Sequence, residues 1–178
     1  MKYTLTLILL LCAKSLFAQN IKLNNAVVIA QFEREEDRYA MQATLSELLK
    51  SNQVKVLPIM NVLKQGEEIQ HLLNDSIQAV IRQKGFDTYI VVNVRGYDRK
   101  FKVSDDTQTL AEMLETTSIY HIYRDEATSV SFEFSLYRDG QLIDRQVLRC
   151  GNVSDRDSVL KRLRKRLPKK ILPSWLTA

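Results

Sequence analysis

The stretch Thr88-Tyr-Ile-Val-Val-Asn-Val94 is the strongest strand signal in the chain, because β-branched and aromatic residues fill nearly every position. A second run of strand length, Asn25-Ala-Val-Val-Ile-Ala-Gln-Phe32, lies upstream. This second run lacks a clean alternation of polar and apolar residues, which is typical of a strand covered on both faces. Together the two runs predict a sheet with packing layers on both sides.

The segments that join these two strands carry helical spacing. Apolar residues recur at i, i+4, i+7 and i+8 from Met41 to Leu49, and again along one face between about Glu67 and Lys84. Asn74-Asp-Ser76 favours a break in the second helix, since these residue types prefer caps to helix interiors. A short strand, Val54 to Leu57, lies between the two helices. The order βαβαβ predicts parallel strands with helices packed on the sheet.

A β-hairpin and a last helix follow. The run from Val130 to Leu136 alternates apolar with polar residues, which predicts a strand with one buried face. Arg138-Asp-Gly140 carries the Asp-Gly signal of a hairpin turn, and Leu142 to Cys150 returns as the partner strand. The predicted fold class is therefore α/β, on the border with α+β: βαβαβ, then a β-hairpin and a C-terminal helix, in a mixed sheet packed with helices.

The predicted domain plan is a signal peptide at 1–18 and a single α/β domain at 19–178, with a basic C-terminal helix at about 155–168. A long connection at about 97–127 has no firm assignment, and connections of this length often carry function. Within it, Thr109 to Leu114 could make a helical turn or two, and Ser118 to Tyr123 could make a strand. The candidate loop contacts in this connection are Tyr120, His121 and Tyr123.

The first 18 residues have the pattern of a secretory signal peptide. Lys2 supplies the positive charge, Thr4 to Ala13 forms an apolar run of about ten residues, and Ala18 offers a small residue at the cleavage point. The run is too short to span a bilayer, which needs about 20 residues. We therefore expect a periplasmic or secreted protein that begins near Gln19 after cleavage.

The two cysteines lie far apart in the chain. A bacterial lipidation signal has a small residue just before its cysteine, and Leu11 precedes Cys12, so lipid anchoring at Cys12 is not expected. After signal cleavage Cys150 stands alone, and a lone cysteine cannot form an internal disulfide. Its expected role is that of a small hydrophobic residue near the end of a strand.

The charge of the chain is concentrated at its C-terminal end. The chain carries 26 Lys and Arg against 21 Asp and Glu, and seven of the basic residues lie within one short segment. An apolar stripe from Val159 to Leu167 is expected to dock on the sheet, so that the charges face water and can attract an acidic partner. The candidate partner or membrane surface consists of Lys161, Arg162, Arg164, Lys165, Arg166, Lys169 and Lys170.

The same basic segment has a second interpretation. Pro168 is expected to end or kink the helix, and Ile171, Leu172 and Trp175 form a second apolar patch after it. A basic amphipathic helix with a Trp can lie on an anionic membrane surface. Binding to DNA or RNA would need residence in the cytosol, which the signal peptide argues against, so no nucleic-acid partner is expected.

Motifs for catalysis and cofactor binding are absent from the sequence. There is no GxGxxG, GxxxxGK or GxSxG pattern, and the turn after the first strand, Glu33 to Arg38, is acidic where a phosphate site needs exposed amides. Glu67, His71 and Asp75 share a helical spacing that metal ligands use, but on the face expected to be solvated. We therefore assign no catalytic residue, no metal ligand and no cofactor.

The runs AVVIAQF, LSELLKSNQVKVLP, GFDTYIVVNVRGY and SVSFEFSLYRDGQLIDRQ, with a closing amphipathic helix, resemble a small α/β domain of bacterial envelope proteins over about residues 25–172. The domain is similar to the N-terminal domain of the Tol-system propeller protein TolB. It is also similar to the periplasmic domains of the curli-secretion lipoprotein and of a lipoprotein activator of peptidoglycan synthases. The resemblance implies a non-catalytic domain that binds other envelope proteins. It transfers no functional residue, because no invariant motif carries it.

The function expected from the sequence is that of an exported, non-catalytic binding or accessory protein of the bacterial cell envelope. Its expected partner is another envelope protein, and its oligomeric state is left open. Two alternatives remain. One is an envelope hydrolase of unrecognised type, which a deep pocket with converging carboxylates or with His71 and His121 would favour. The other is a peripheral membrane protein that uses the basic C-terminal helix.

Overall fold

The structure is a computed structural model that describes residues 21–63, 67–116 and 118–176. The predicted signal peptide and its cleavage site lie outside these ranges. The strands are β1 (Asn25–Ala30), β2 (Lys55–Pro58), β3 (Thr88–Tyr97), β4 (Ser129–Arg138) and β5 (Gln141–Gly151). The α-helices are α1 (Glu35–Ser51), α2 (Asp75–Gln83), α3 (Leu110–Glu115), α4 (Arg156–Lys170) and α5 (Leu172–Leu176). Short 3-10 helices span Ile59–Asn61 and Ile69–Leu73.

The five strands form one mixed sheet in the order β2-β1-β3-β4-β5. Strand β1 runs parallel to β2 and to β3, whereas β4 is antiparallel to β3 and to β5. Parallel pairs need a crossover, and α1 and α2 lie in the two crossovers of the βαβαβ half. The fold class predicted from the sequence, α/β with a mixed sheet and a terminal hairpin, is confirmed.

The sheet is buried on both faces, and each face belongs to a separate apolar cluster. On the first face, Val28 and Val92 pack with residues of α1 and α4 such as Leu45 and Leu163. On the second face, Val27 and Val91 pack with residues of the α2 and α3 layer. Successive residues of a strand point to opposite faces, so β1 and β3 must be apolar at nearly every position. This double burial explains the unbroken apolar runs in the sequence.

The predicted helix between Glu67 and Lys84 is divided at Asn74, as the sequence suggested. Asn74 has extended backbone angles, φ −67° and ψ 131°, between the 3-10 helix Ile69–Leu73 and α2. The prediction that Glu67, His71 and Asp75 share one helix face is therefore wrong. Their spacing puts them on one face only in a continuous α-helix, and here they lie in front of, within and after the 3-10 turn.

The predicted strand at Ser118–Tyr123 is wrong. Its only ladder contact in the described part of the chain is an isolated parallel bridge between Phe32 and Ser118. Side chains satisfy its backbone instead: the Ile122 amide donates to the Asp37 carboxylate at 3.1 Å, and the Tyr97 hydroxyl donates to the His121 carbonyl at 2.7 Å. By contrast, the predicted helical turn is present as α3, which begins at a capping box formed by Thr109 and Glu112.

Strand β4 is buried on both faces, so the prediction of one exposed face is wrong. Ser131, Glu133 and Ser135 alternate with the apolar residues of β4, yet each is at most 4% exposed. The segment between β3 and α3 covers them, and its backbone is bound by the sheet: Arg145 Nη1 donates to the carbonyls of Ser104 and Asp106 at 3.4 and 2.9 Å. The polar residues on the second face of the sheet therefore bind the segment between β3 and α3 and do not contact water.

A buried ion cluster lies beneath this segment. One Glu133 carboxylate oxygen is 3.7 Å from Arg145 Nε, and the other is 3.5 Å from Arg95 Nε. The side chains of Glu133 and Arg145 are 5% and 4% exposed, whereas that of Arg95 is 37% exposed. Burial raises the pKa of the neighbouring Tyr137 hydroxyl, although Arg145 acts in the opposite direction. The cluster holds the Arg145 guanidinium in the interior, from where it donates hydrogen bonds to carbonyls of the covering segment.

Helix α4 contains Pro168, which does not end it. The helix continues to Lys170, and α5 begins two residues later at Leu172. A proline removes one backbone donor, and so near the last helical turn it costs at most one hydrogen bond of the ladder. The apolar stripe Val159, Leu160, Leu163 and Leu167 is buried, as are Ile171, Leu172 and Trp175. The predicted docking of the stripe is therefore present, and the second apolar patch belongs to the core.

The N-terminus of α4 is capped by Asp155, whose carboxylate accepts from the Ser158 amide at 2.6 Å. The backbone bond from Ser158 and the hydroxyl of Ser154 lower the pKa of Asp155. A lowered folded-state pKa means that this cap stabilises the fold above the unfolded-state pKa of about 3.9 and is lost as pH falls through the folded-state pKa.

We therefore expect the melting temperature of Asp155→Ala to lie below that of the wild type at neutral pH, and the gap to close in acid. Thermal melts of both proteins from about pH 7 down to about pH 2 measure this gap across the ordinary Asp pKa of about 3.9. Asp155→Asn is the control, because a neutral amide oxygen still caps the helix and does not titrate. A gap that stays constant with pH would show that the charge of Asp155 contributes nothing.

Candidate binding groove at the edge of the sheet

Strand β5 forms one edge of the sheet. It is the last strand in the order, and within the described ranges only β4 hydrogen-bonds to its backbone between Leu142 and Gly151. An edge strand of this kind presents a row of unpaired N–H and C=O groups. The adjacent hairpin turn has Asp139 and Gly140 at positive φ, which the Asp-Gly signal in the sequence predicts.

A groove of about 420 Å³ crosses the outer edge of β5 at Gln146 to Arg149. On the second face of the sheet, it is lined by Lys100 and Phe101 of the covering segment and by Ser131. On the first face, it is lined by Arg166, Lys170 and Ile171 at the end of α4. We call this feature the edge groove, and it joins the open edge of β5 to the basic end of the C-terminal helix.

The charges of the edge groove have one sign. Lys100, Arg149, Arg166 and Lys170 line it, and among the residues that the structure describes no acidic side chain joins them. The floor is apolar, formed by Val147 and the buried Leu148 and Ile171. A concave surface with several cations raises the local concentration of anionic groups. The lining of the edge groove is therefore suited to attract an anionic group.

Cys150 lies next to this positive field but is itself buried. Burial raises the pKa of its thiol to about 11, although Arg166 and Arg162 both act to lower it. The thiol is therefore protonated at neutral pH, and a protonated thiol is a poor nucleophile. The free cysteine behaves as the small hydrophobic residue that the sequence predicts.

The basic residues predicted from the sequence do not form one surface. Arg166 and Lys170 line the edge groove, one helical turn apart. Arg164 points to α1, where its Nε lies 3.3 Å from the Glu47 carboxylate. Arg162 is half-buried, and the exposed remainder consists of Lys161, Lys165 and Lys169. The packing of α4 thus places its basic residues in different surroundings: some line the edge groove, one forms an ion pair and others face water.

The other half of the edge groove was not predicted from the sequence. Lys100 and Phe101 come from the long connection, and Arg149 comes from β5. Phe101 packs against Gly96, where a Cβ atom would lie 2.6 Å from its ring and where φ is +146°. Arg149 is fixed by donating from Nε and Nη2 to the Ser129 hydroxyl at 3.1 and 2.8 Å. These residues carry no motif, because only folding brings them beside the helix.

The predicted loop contacts Tyr120, His121 and Tyr123 serve mainly to attach their own segment. The rings of Tyr120 and Tyr97 pack edge to face at 5.7 Å, and the His121 carbonyl accepts from Tyr97. Tyr123 packs against the apolar cluster of the first face. Of the three, Tyr120 is the most exposed, at 40%. Burial raises the pKa of the Tyr97 hydroxyl, opposed by its bond to His121 and by Arg124.

Two of the carboxylates, Asp37 and Asp106, have structural partners. Asp37 is buried, accepts from the Ile122 amide and lies 3.9 Å from Arg156. Asp106 accepts from the Ser104 hydroxyl at 2.8 Å, in the covering segment. In the described part of the chain, no group of three or more His, Cys, Asp or Glu side chains is arranged to hold a metal ion. Likewise, no helix among these residues has the length and apolar character needed to span a membrane.

No protein-family model and no curated protein matches this chain. Solved structures that match the chain do so at low identity, and three of them are as follows. The PelC dodecamer from Paraburkholderia phytofirmans is 14% identical, with 90% of this chain and 92% of that chain covered and a TM-score of 0.43. The lipoprotein GNA1162 from Neisseria meningitidis is 11% identical, with 83% and 99% covered and a TM-score of 0.44. A point variant of the same PelC dodecamer, in another crystal form, is 13% identical, with 83% and 89% covered and a TM-score of 0.41.

Proposed function

We propose that this chain is an exported, non-catalytic binding protein of the bacterial cell envelope that takes an acidic protein partner into the edge groove. The observation that carries the proposal is the convergence of Lys100, Arg149, Arg166 and Lys170 on an open strand edge with an apolar floor. The signal-peptide pattern of residues 1–18 supports export. The resemblance of the sequence runs to envelope binding domains, TolB's among them, remains a prediction.

Two features favour a protein partner over a membrane. The apolar side chains that would enter a bilayer are already in the core, since Leu163, Leu167 and Trp175 are at most 1% exposed. Trp175 also donates from Nε1 to the Asp144 carboxylate at 2.6 Å, and its ring packs on Phe134 at 6.4 Å. A membrane-surface helix needs its apolar face free. The cations of α4 that remain exposed can still attract an anionic surface, but only by charge.

The experiment compares two double variants with the same change of charge on the same helix. Arg166→Gln with Lys170→Gln removes the two cations that α4 supplies to the edge groove, and Lys161→Gln with Lys165→Gln removes two exposed cations of α4 that do not line it. Each substitution lies on the exposed part of α4, and surface changes of this kind typically move stability by no more than about 0.5 kcal/mol. Both variants should therefore fold, which a thermal melt checks.

We expect the groove variant, and not the control variant, to lose the envelope proteins that the immobilised wild-type chain captures from a native envelope fraction. Capture by the wild type should weaken with salt, because exposed charges are screened over about 8–10 Å at physiological ionic strength. Vesicles of phosphatidylcholine with phosphatidylglycerol are tested in parallel. Equal loss of capture by both variants, or vesicle binding with no protein capture, would contradict the proposal.

A further inference from the structure

We propose that the ligand of the edge groove is an extended acidic peptide segment that adds to β5 as a sixth strand of the sheet. This inference rests on the proposed function, since it specifies how the acidic partner is held. The two parts of the argument are the free backbone edge of β5 and the placement of the four groove cations on both sides of that edge.

The backbone argument concerns the outer row of β5. Between Leu142 and Gly151, within the described ranges, β5 is hydrogen-bonded only on its β4 side. The edge groove lies directly over this row at Gln146 to Arg149. An extended peptide that enters the groove meets unpaired N–H and C=O groups spaced to match its own, which is the geometry of strand addition. A helical or compact ligand has no free backbone groups to offer in return.

The side-chain argument concerns the two faces of the added strand. Successive side chains of a strand point to opposite faces of the sheet. Arg149 lies opposite Ser131 on the second face, beside Lys100, whereas Leu148 lies opposite Phe132 on the first face, toward α4. A carboxylate on either face of the added strand therefore meets a pair of cations: Lys100 with Arg149, or Arg166 with Lys170. Such a site selects acidic residues without fixing which of the two faces carries them.

A second copy of this chain is a poor occupant. Pairing of β5 with β5 across an antiparallel interface would bring Arg149, Lys100 and the end of α4 toward their own copies. Like charges set against one another across an interface are repulsive. Cations along an edge strand also discourage unwanted pairing between identical chains. The same cations thus exclude the chain itself and favour an acidic strand.

The test uses a synthetic peptide of about eight residues with an acetylated N-terminus and an amidated C-terminus. Its Glu residues are placed so that carboxylates point to both faces of an extended strand, and Val fills the other positions. Two matched peptides have the same side chains as the parent but carry N-methyl groups on the backbone. One is N-methylated at alternate residues, so that the N–H groups along one edge of the strand remain. The other is N-methylated at every residue, so that neither edge can donate hydrogen bonds. A fourth peptide has Lys in place of Glu. Binding is measured by calorimetry and by amide NMR of the full mature chain.

We expect the parent and the half-methylated peptide to bind alike, with shifted and slowly exchanging amides between Gln146 and Arg149. The fully methylated peptide should bind at least about tenfold more weakly, since it can no longer donate backbone hydrogen bonds to β5. The Arg166→Gln/Lys170→Gln variant should bind the parent more weakly than the Lys161→Gln/Lys165→Gln variant does. The Lys peptide should not bind.

Three results would overturn strand addition: equal binding of the parent and fully methylated peptides, equal binding of the Lys peptide, or no binding of the parent at about 1 mM. The first result, together with loss of affinity in the groove variant, would leave the proposed function standing, because an acidic ligand would still occupy the groove by charge alone. Failure of the proposed function is detected separately, when the groove and control variants capture the same envelope proteins.

Discussion

Val91→Asp should abolish the cooperative unfolding of the wild type or lower its melting temperature by roughly 10 °C or more. Val91 is 1% exposed, lies in the central strand β3 and packs in the apolar cluster of the second face. A carboxylate at this position has no charged partner among the apolar residues of that cluster. Burial of an unpaired charge costs several kcal/mol, and a domain of this size is stable by only about 5–15 kcal/mol.

Val80→Asp is the matched control for this substitution. Val80 is 45% exposed on α2, so the same chemical change there leaves the carboxylate in water. Its effect on the melting temperature should be small, although Asp has a lower helix propensity than most residues. Thermal unfolding followed by far-UV circular dichroism measures both variants. Similar melts for Val91→Asp and the wild type would show that β3 is not the buried centre of the sheet.

Glu133→Ala should lower the free energy of unfolding by about 3 kcal/mol. The substitution leaves the Arg145 guanidinium in place, 4% exposed, with its nearest carboxylate removed. Arg145 keeps its bonds to the carbonyls of Ser104 and Asp106, but neutral acceptors do not replace the charge of Glu133. Breaking one side of a buried ion pair is costly because an uncompensated charge remains in the interior.

Urea unfolding of Glu133→Ala and of a double variant distinguishes the effect of the unpaired charge on stability from the effect of lost packing. Glu133→Leu combined with Arg145→Met removes both charges and keeps apolar volume, so it should be more stable than Glu133→Ala. It should not reach the stability of the wild type, because it loses the bonds from Arg145 to the Ser104 and Asp106 carbonyls. Chemical denaturation also gives the slope that reports whether the exposed surface has changed. A loss under about 1 kcal/mol in Glu133→Ala would contradict the prediction, since it would mean that the carbonyls of Ser104 and Asp106 suffice to compensate the Arg145 cation.

The buried cluster and the edge groove are linked through the segment that follows β3. This segment supplies Lys100 and Phe101 to the groove, and Arg145 holds it at Ser104 and Asp106. Phe101 is positioned further by its contact with Gly96. The position of Lys100 in the groove thus depends on polar residues in the interior of the sheet. The alternating polar residues of β4 take part in this connection, since Glu133 pairs with Arg145 and the Ser131 hydroxyl donates to the Arg99 carbonyl.

Local patterns in the sequence determined the architecture of the sheet. The apolar runs of β1 and β3, the helical spacing of α1 and the Asp-Gly turn of the hairpin each depend on residues close together in the chain. The apolar stripe of α4 likewise required only its own periodicity to predict that the helix docks. Such features could be predicted from the sequence because each depends on the residues of a single helix or strand. The pattern of apolar residues within that element shows whether one face or both faces are buried.

The placement of the long connection depended on the tertiary structure alone. Alternation in β4 predicts an exposed face, but the connection covers that face because Arg145 and Ser131 satisfy its backbone. The sequence allowed a strand at Ser118–Tyr123, but this segment makes only the bridge from Ser118 to Phe32 in the described part of the chain. Its Ile122 amide and His121 carbonyl are bound instead by the side chains of Asp37 and Tyr97. Propensity cannot decide such cases, since the outcome depends on partners distant in the chain.

The candidate site shows the same division. The sequence identified a run of seven cations, but it could not tell which of them share a surface with Lys100 and Arg149. That outcome depends on the rotation of α4 about its axis, which is fixed when Leu163 and Leu167 pack on the sheet. The same rotation directs Arg164 to Glu47 and leaves Arg166 and Lys170 beside β5. Charge content is therefore a property of the sequence, whereas the edge groove exists only because packing brings the end of a helix, an edge strand and a loop together.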